Sequence, residues 1–180
     1  VAEASAGVDM LIFVGLPVAV GARLYSCAAA VYDGEILGLI PKENVDGTAF
    51  AAPAIDEAEV EIAGQLTSVY ADMLFECSAL RGLIVGAELG EDMDAVVPPS
   101  VRHAEAGATV IAQLAAFPET VTSTDDALLD IRAQSKRLKC GMIMAAPGKG
   151  ESSTDNVYSG LCLAAENGKI LAQDERENSM

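Results

Sequence analysis

The chain is short of aromatic residues, of histidine and of positive charge, and each shortage closes off a class of chemistry. Aromatics make up 4% of its 180 residues. Its core must therefore come from Ala, Val, Leu and Ile, which together with 16 Gly suit closely packed layers of strands and helices. There is one histidine, His103, so any Ser–His or Cys–His nucleophile pair would have to use it. It falls on a predicted helix between Arg102 and Ala104 and reads as a solvated or interface side chain. Lys and Arg number 11 against 27 Asp and Glu, a net charge of −16. Such a surface repels phosphate backbones and anionic lipid, so neither a nucleic acid nor a membrane is an expected partner. Cys27, Cys77, Cys140 and Cys162 form no CxxC pair, which removes the spacing of a zinc site or a redox dithiol. Free thiols in a reducing cytoplasm are expected. No apolar run has bilayer length: residues 11–20 are too few and are broken by Gly15 and Pro17. The residues before that run carry Glu3 and Asp9 and no base, unlike a signal peptide.

What is present is half apolar, which excludes disorder, and long enough for one domain. The run Leu11–Gly15 reads as a buried central strand. Arg23–Tyr32 and Glu35–Ile40, joined through Asp33-Gly34, predict a hairpin. Pro41 stops its second strand and leaves Lys42 at the exit. Residues 43–65 read as an irregular acidic excursion around Pro53, with at most one short helix. Residues 73–77 and Leu83–Leu89 predict strands, the second ending in the turn Gly90-Glu91-Asp92. Pro98-Pro99-Ser100 opens a helix that closes at Gly107, and Ala108–Ala115 is a further buried strand. A second helix begins at a Thr122 or Ser123 cap. It carries Asp125 and Asp126 in its first turn and Lys136, Arg137 and Lys139 in its last, in the order that the helix dipole favours, and it ends at Gly141. Residues 142–146 predict a strand, and Ser159–Glu166 with Lys169–Asp174 a hairpin about Asn167-Gly168. The last acidic residues, from Asp174 to Met180, are expected to fray. Helices alternate with buried strands, so mixed, covered sheets in one domain over 1–180 are expected.

Few residues stand out for chemistry. No GxSxG elbow exists. Gly148-Lys149-Gly150-Glu151-Ser152-Ser153 lacks the Walker spacing, and Glu151 would repel phosphate. The strand end Glu88-Leu89-Gly90-Glu91-Asp92 is a place where a sharp turn can present a reacting group. Gly90 offers no side chain there, while Glu91 and Asp92 could hold a cation or an ammonium group, or be a solvated turn. Lys42 is either a surface lysine or a stabiliser of developing oxyanion charge.

Longer stretches carry a resemblance. Val14-Gly15-Leu16-Pro17, Arg23-Leu24-Tyr25-Ser26-Cys27-Ala28 and Gly38-Leu39-Ile40-Pro41-Lys42 are similar to the run VGxPL…LYNCA…LGxxPK of bacterial glutamine-dependent NAD synthetases. Glu88-Leu89-Gly90-Glu91-Asp92 followed by Val97-Pro98-Pro99-Ser100 resembles EICEDLWxPxPPS. Arg102-His103-Ala104 through Gly107-Ala108-Thr109-Val110 resembles RxALAGATV. Gln134-Ser135, Gly148 to Asp155 and Glu166 to Ala172 resemble QSAR, GEGESTTD and ENGxxLAE. The matches keep the family's order over residues 11–174. The resemblance implies a nitrilase-like α-β-β-α sandwich with mixed sheets, here truncated at its amino-terminal side. It implies glutamine as substrate, hydrolysed to glutamate and ammonia that feeds NAD biosynthesis, and homo-oligomers formed through the nitrilase-type interface. No cofactor is implied for this stretch, since ATP and Mg would belong to a separate synthetase domain.

The family works with a Glu-Lys-Cys triad, in which the cysteine forms a thioester, the glutamate moves protons and the lysine stabilises the tetrahedral intermediate. Carried over by motif, Lys42 matches the triad lysine and Glu91 the residue beside the glutamine site. The nucleophile position falls on Gly90, and the glutamate would lie upstream of Val1. The family's YxxFYE segment is replaced by Glu43-Asn44-Val45-Asp46-Gly47, and its NLSAS strand exit by Gln113-Leu114-Ala115-Ala116-Phe117. Departures cluster at the pocket while scaffold motifs persist, so a nitrilase-like module that has lost hydrolysis is the alternative. The correspondence further predicts that Gly90 and Lys42 share one strand-end cavity.

Overall fold

A computed structural model describes residues 1–45, 49–52 and 57–174. The expectations for Asp46, Gly47, Pro53 and for fraying of residues 175–180 lie outside that set. The chain divides into two compact units, Val1–Met73 and Leu74–Met180.

The first unit is a five-stranded sheet of order β1-β2-β3-β5-β4, built from β1 (Ile12–Val20), β2 (Arg23–Tyr32), β3 (Glu35–Pro41), β4 (Ala58–Ile62) and β5 (Gln65–Val69). The Asp33-Gly34 hairpin forms as the sequence predicts, with φ of +46° and +86°, values that a two-residue turn between twisted strands requires. Strand β2 lies between β1 and β3 and is buried on both sides. Tyr25, Cys27, Ala29 and Val31 enter the core on one face, while Ala28 and Ala30 are buried on the other. The run at residue 11 is not the expected central strand: β1 lies at the sheet edge and runs on through Pro17 to Val20. An edge tolerates a residue without an N–H. The excursion at 43–65 likewise hides a hairpin. Strands β4 and β5 turn at Ala63 (φ +52°) and Gly64 (φ +75°). Gln65 ties β5 to the start of β3, its Oε1 accepting from Ile36 N–H at 2.8 Å and its Nε2 donating to Gly34 O at 3.0 Å.

The second unit is a six-stranded mixed sheet of order β11-β10-β9-β8-β7-β6. Its strands are β6 (Phe75–Glu76), β7 (Ile84–Leu89), β8 (Val110–Leu114), β9 (Gly141–Ala145), β10 (Cys162–Glu166) and β11 (Lys169–Gln173). Strands β7, β8 and β9 run parallel, joined through α1 (Pro99–Glu105) and α2 (Ser123–Leu138). Parallel neighbours require such crossovers. One face of the sheet packs Ile111, Met142, Met144, Leu163 and Ala165 with Ala127 and Ile131 of α2. On the opposite face Ile143, Ala145 and Cys162 are exposed.

Two helix-end expectations change. Neither Thr122 nor Ser123 caps α2 with its side chain; Ser123 Oγ turns back to Thr120 instead. The helix stops at Leu138 with Lys139 in the left-handed region at φ +57°, and Gly141 already belongs to β9. The Asn167-Gly168 hairpin forms as predicted. No helix among the described residues is long and apolar enough to cross a membrane.

Candidate functional site

The strand-end elbow is built by the second unit. Strand β7 stays extended to Leu89, and Gly90 then turns into the left-handed region at φ +53°, opening a single 3-10 turn over Gly90–Asp94. A side chain at that φ carries steric strain that glycine escapes. Two buried side chains pin the turn. Asp92 Oδ2 accepts from Leu89 N–H at 3.3 Å, and Gln113 Nε2 donates to Gly90 O at 2.7 Å.

The polar residues here are not a solvated turn. Glu88 and Asp92 are each 1% exposed, while Glu91 and Asp94 face water. Glu88 shares a face of β7 with Gly86, because alternate strand residues point the same way. That face lies under α1: Ser100 N–H donates to Glu88 Oε2 at 3.1 Å. The Ser100 hydroxyl adjoins the carboxyl group without the geometry of a hydrogen bond. Burial pushes the Glu88 carboxyl above the usual carboxylate range. Ser100 draws it down, and the charges of Asp92 and Asp94 push it further up.

His103 corrects the expectation of a solvated or interface side chain. It is 1% exposed on α1, because β7 offers Gly86 beneath the ring. The alternation that hides Glu88 was visible in Gly86-Ala87-Glu88, next to a helix entry rich in proline. Gln113 gave no such signal, being a lone polar residue inside an apolar run.

Lys42 belongs to the first unit. It follows β3 directly, is half-buried, and its N–H donates to Ser26 O at 2.7 Å, so the strand pairing of β2 and β3 fixes its backbone. Gly90 and Glu91 belong to the second unit. Gly90 carries no side chain. Cys27 and Cys140 are buried and Cys77 half-buried, while Cys162 is exposed on β10; all four are free thiols. Burial pushes the Cys27 thiol up to about 12 and raises Cys140 as well, so neither is a thiolate near neutral pH. No group of three or more His, Cys, Asp or Glu among the described residues is placed to hold a metal ion. The serines of the 148–155 loop serve the loop itself: Ser152 Oγ accepts from Tyr158 N–H, and Ser153 Oγ from the N–H groups of Asp155 and Asn156.

A second feature escaped the sequence reading. Met93 and Asp94 form an open groove with Asp130, Ala133, Gln134 and Arg137 of α2, of about 340 Å³. Burial raises both Asp94 and Asp130. Glu91 adds to the first shift, and Asp94 and Asp126 to the second.

No protein-family profile matches the chain. Among curated proteins it is 36% identical over 180 residues to the glutamine-dependent NAD(+) synthetase of Mycobacterium leprae and 34% identical over 179 residues to that of Mycobacterium tuberculosis. Both alignments cover 96% of this chain, which spans 26% of the length of these relatives. Among solved structures, a glutamine-dependent NAD(+) synthetase from Cytophaga hutchinsonii superposes with a TM-score of 0.80 at 21% identity, covering 97% of this chain and 29% of that one. A nitrilase-superfamily protein from Saccharomyces cerevisiae superposes with a TM-score of 0.72 at 14% identity, covering 97% of this chain and 59% of that one. The chain therefore has the mixed α/β nitrilase-type fold, and its sequence is similar to glutamine-dependent NAD synthetases over almost its whole extent.

Proposed function

We propose that the chain is the glutamine-hydrolysing part of a glutamine-dependent NAD synthetase, an amidohydrolase lineage that releases ammonia from glutamine for NAD biosynthesis. The observation that carries this reading is the 34–36% identity to mycobacterial synthetases of that name, spread over 96% of the chain. In this reading the elbow is the glutamine site. Lys42 stabilises the oxyanion of the tetrahedral intermediate, Glu91 lines the pocket for glutamine, and Gly90 stands where a thiol attacks the side-chain amide in a working member.

Gly90 also favours a second reading, a nitrilase-like assembly module that has kept the fold and lost hydrolysis. Removing one member of a concerted catalytic unit costs on the order of a million-fold in rate, and glycine leaves no atom to attack. A single experiment separates the readings. Glutamine binding is followed by calorimetry, and ammonia release is measured on the same protein beside Lys42→Ala. Binding that Lys42→Ala abolishes, with ammonia release no greater than in that variant, fits a glutamine site without its nucleophile. Release well above the variant requires a different nucleophile. Neither binding nor release leaves only the assembly reading.

Self-association belongs to the same proposal. The exposed Ile143, Ala145 and Cys162 face of the second sheet supports it. A monodisperse monomer in light scattering would count against it.

A further inference from the structure

Glu88 stands between Gln113, its register partner on β8, and Ser100 of α1, and each of the three carries a buried oxygen that no hydrogen bond satisfies: Glu88 Oε1, Gln113 Oε1 and Ser100 Oγ. Glu88 and Gln113 are register partners in the parallel pair β7–β8, so their side chains leave the same face of the sheet side by side. Both are at most 2% exposed. Two orphaned acceptors on neighbouring buried side chains are costly unless a proton lies between them. Of the two groups only the carboxyl can carry it, since an amide oxygen is an acceptor alone. The orientation of Gln113 is set at its other end, where Nε2 donates to Gly90 O at 2.7 Å.

We propose that Glu88 and Gln113 form a buried relay that positions the elbow: Glu88, as the neutral acid, donates to Gln113 Oε1, and Gln113, so held, donates through Nε2 to the Gly90 carbonyl. The surroundings favour the neutral acid. Glu88 is faced by Asp92 and Asp94 from the 3-10 turn and by Ser100 from α1, with His103 one turn further along that helix. Burial foremost, with the two aspartates, opposes a charge on Glu88 and outweighs the Ser100 hydroxyl and N–H, which favour it. The consequence for the elbow follows from peptide geometry. The unit between Gly90 and Glu91 is planar and trans, so pinning its C=O toward Gln113 turns the Glu91 N–H to the opposite side. Both relay members are positioning residues. Their bearing on glutamine chemistry rests on the function proposed above, whereas the two hydrogen bonds do not.

The test uses nuclear magnetic resonance on the full chain. The Glu88 carboxyl ¹³C shift is followed through pH, together with the Gln113 side-chain amide, which is assigned by its loss in Gln113→Met. The Glu88 resonance is expected to hold the acid position to higher pH than an exposed carboxyl, which titrates near about 4. Glu88→Gln keeps a donor toward Gln113 and should leave the Gln113 amide shifts and the elbow's amide exchange unchanged within about twofold. Gln113→Met should speed exchange at Leu89, Glu91 and Asp92 by about tenfold or more. A Glu88 carboxyl that titrates in the ordinary range overturns the relay. So do Gln113 amide shifts that move in Glu88→Gln, or elbow exchange indifferent to Gln113→Met. Should Gln113→Met fail to fold, the carboxyl titration and the Glu88→Gln spectrum decide alone. None of these readouts uses glutamine, so the relay and the glutamine site can fail separately.

Discussion

Replacing Gly86 by alanine tests how tightly α1 is seated over the elbow strand. A Cβ built at Gly86 would stand 2.9 Å from His103 Nδ1, 3.0 Å from its Cγ and 3.1 Å from its Cβ. All three contacts are tighter than van der Waals packing allows, and they include the root of the side chain as well as the ring. Rotating the ring therefore cannot clear them, and α1 must shift away from β7. Overpacking of this kind costs about 1–3 kcal/mol. The smaller unfolded-state entropy of alanine returns about 0.4–1 kcal/mol, leaving a net loss of about 1–2 kcal/mol. For a chain of this size that lowers Tm by about 2–8 °C. Far-UV circular dichroism on urea unfolding gives the total, and amide exchange along β7 reads the second unit by itself. His103→Ala is destabilising alone, through the cavity it opens. In the double variant the new methyl fills part of that space, so the combined loss should fall short of the sum by about 1 kcal/mol. Unchanged stability in Gly86→Ala, or strict additivity in the double variant, would refute the close seating of His103 on β7.

Three further outcomes are expected. Lys139→Gly should stabilise by about 1 kcal/mol in urea titrations, because Lys139 ends α2 at φ +57°, where a side chain is strained and glycine is not. A thiol reagent at pH 8 should label Cys162 first and Cys77 more slowly, with Cys27 and Cys140 reacting only on unfolding; peptide mass mapping checks the order. For Asp130 the folded chain holds the proton more tightly than the unfolded chain, so its contribution is full at low pH and is lost as pH rises through the folded pKa. Asp130→Asn should therefore gain stability at neutral pH, by less than about 1 kcal/mol given solvent screening. That gain should vanish once the pH falls below the ordinary aspartate range, as paired thermal melts at the two extremes would show.

Local patterns with one physical solution were readable in the sequence. Asp33-Gly34 and Asn167-Gly168 can only be tight turns between β-forming runs, and both hairpins form. The apolar runs at 83–89 and 108–115 become adjacent parallel strands, as a chain with helices between its strands demands. Three readings failed where tertiary context decides. Residues 58–69 alternate charged and aliphatic residues too weakly to announce a hairpin, and its turn uses Ala63 in place of the usual Asn or Asp. Pro17 was taken as a strand end, yet an edge strand needs no N–H at every residue. His103 was assigned to water or an interface, and Asp92 to a possible solvated turn, because their side chains are polar; both are buried, His103 because the missing side chain of Gly86 makes room once β7 and α1 meet. Gln113 was invisible for the complementary reason, since its partner is a backbone carbonyl.

At Gly90 the needs of the backbone and of the chemistry pull apart. A residue other than glycine in the left-handed region costs about 1–2 kcal/mol, a cost that functional sites often bear to present a reacting group. Glycine at φ +53° relieves that strain. Losing a nucleophile, by contrast, costs about a million-fold in rate, equivalent to about 8 kcal/mol of barrier. Under the function proposed above, glycine in place of a thiol is thus a small change for stability and a very large one for turnover. The turn is held by Asp92 from within it and by Gln113 from β8. Those two contacts act on backbone atoms, which every residue type carries. The two contacts that hold the elbow therefore do not depend on the side chain at position 90.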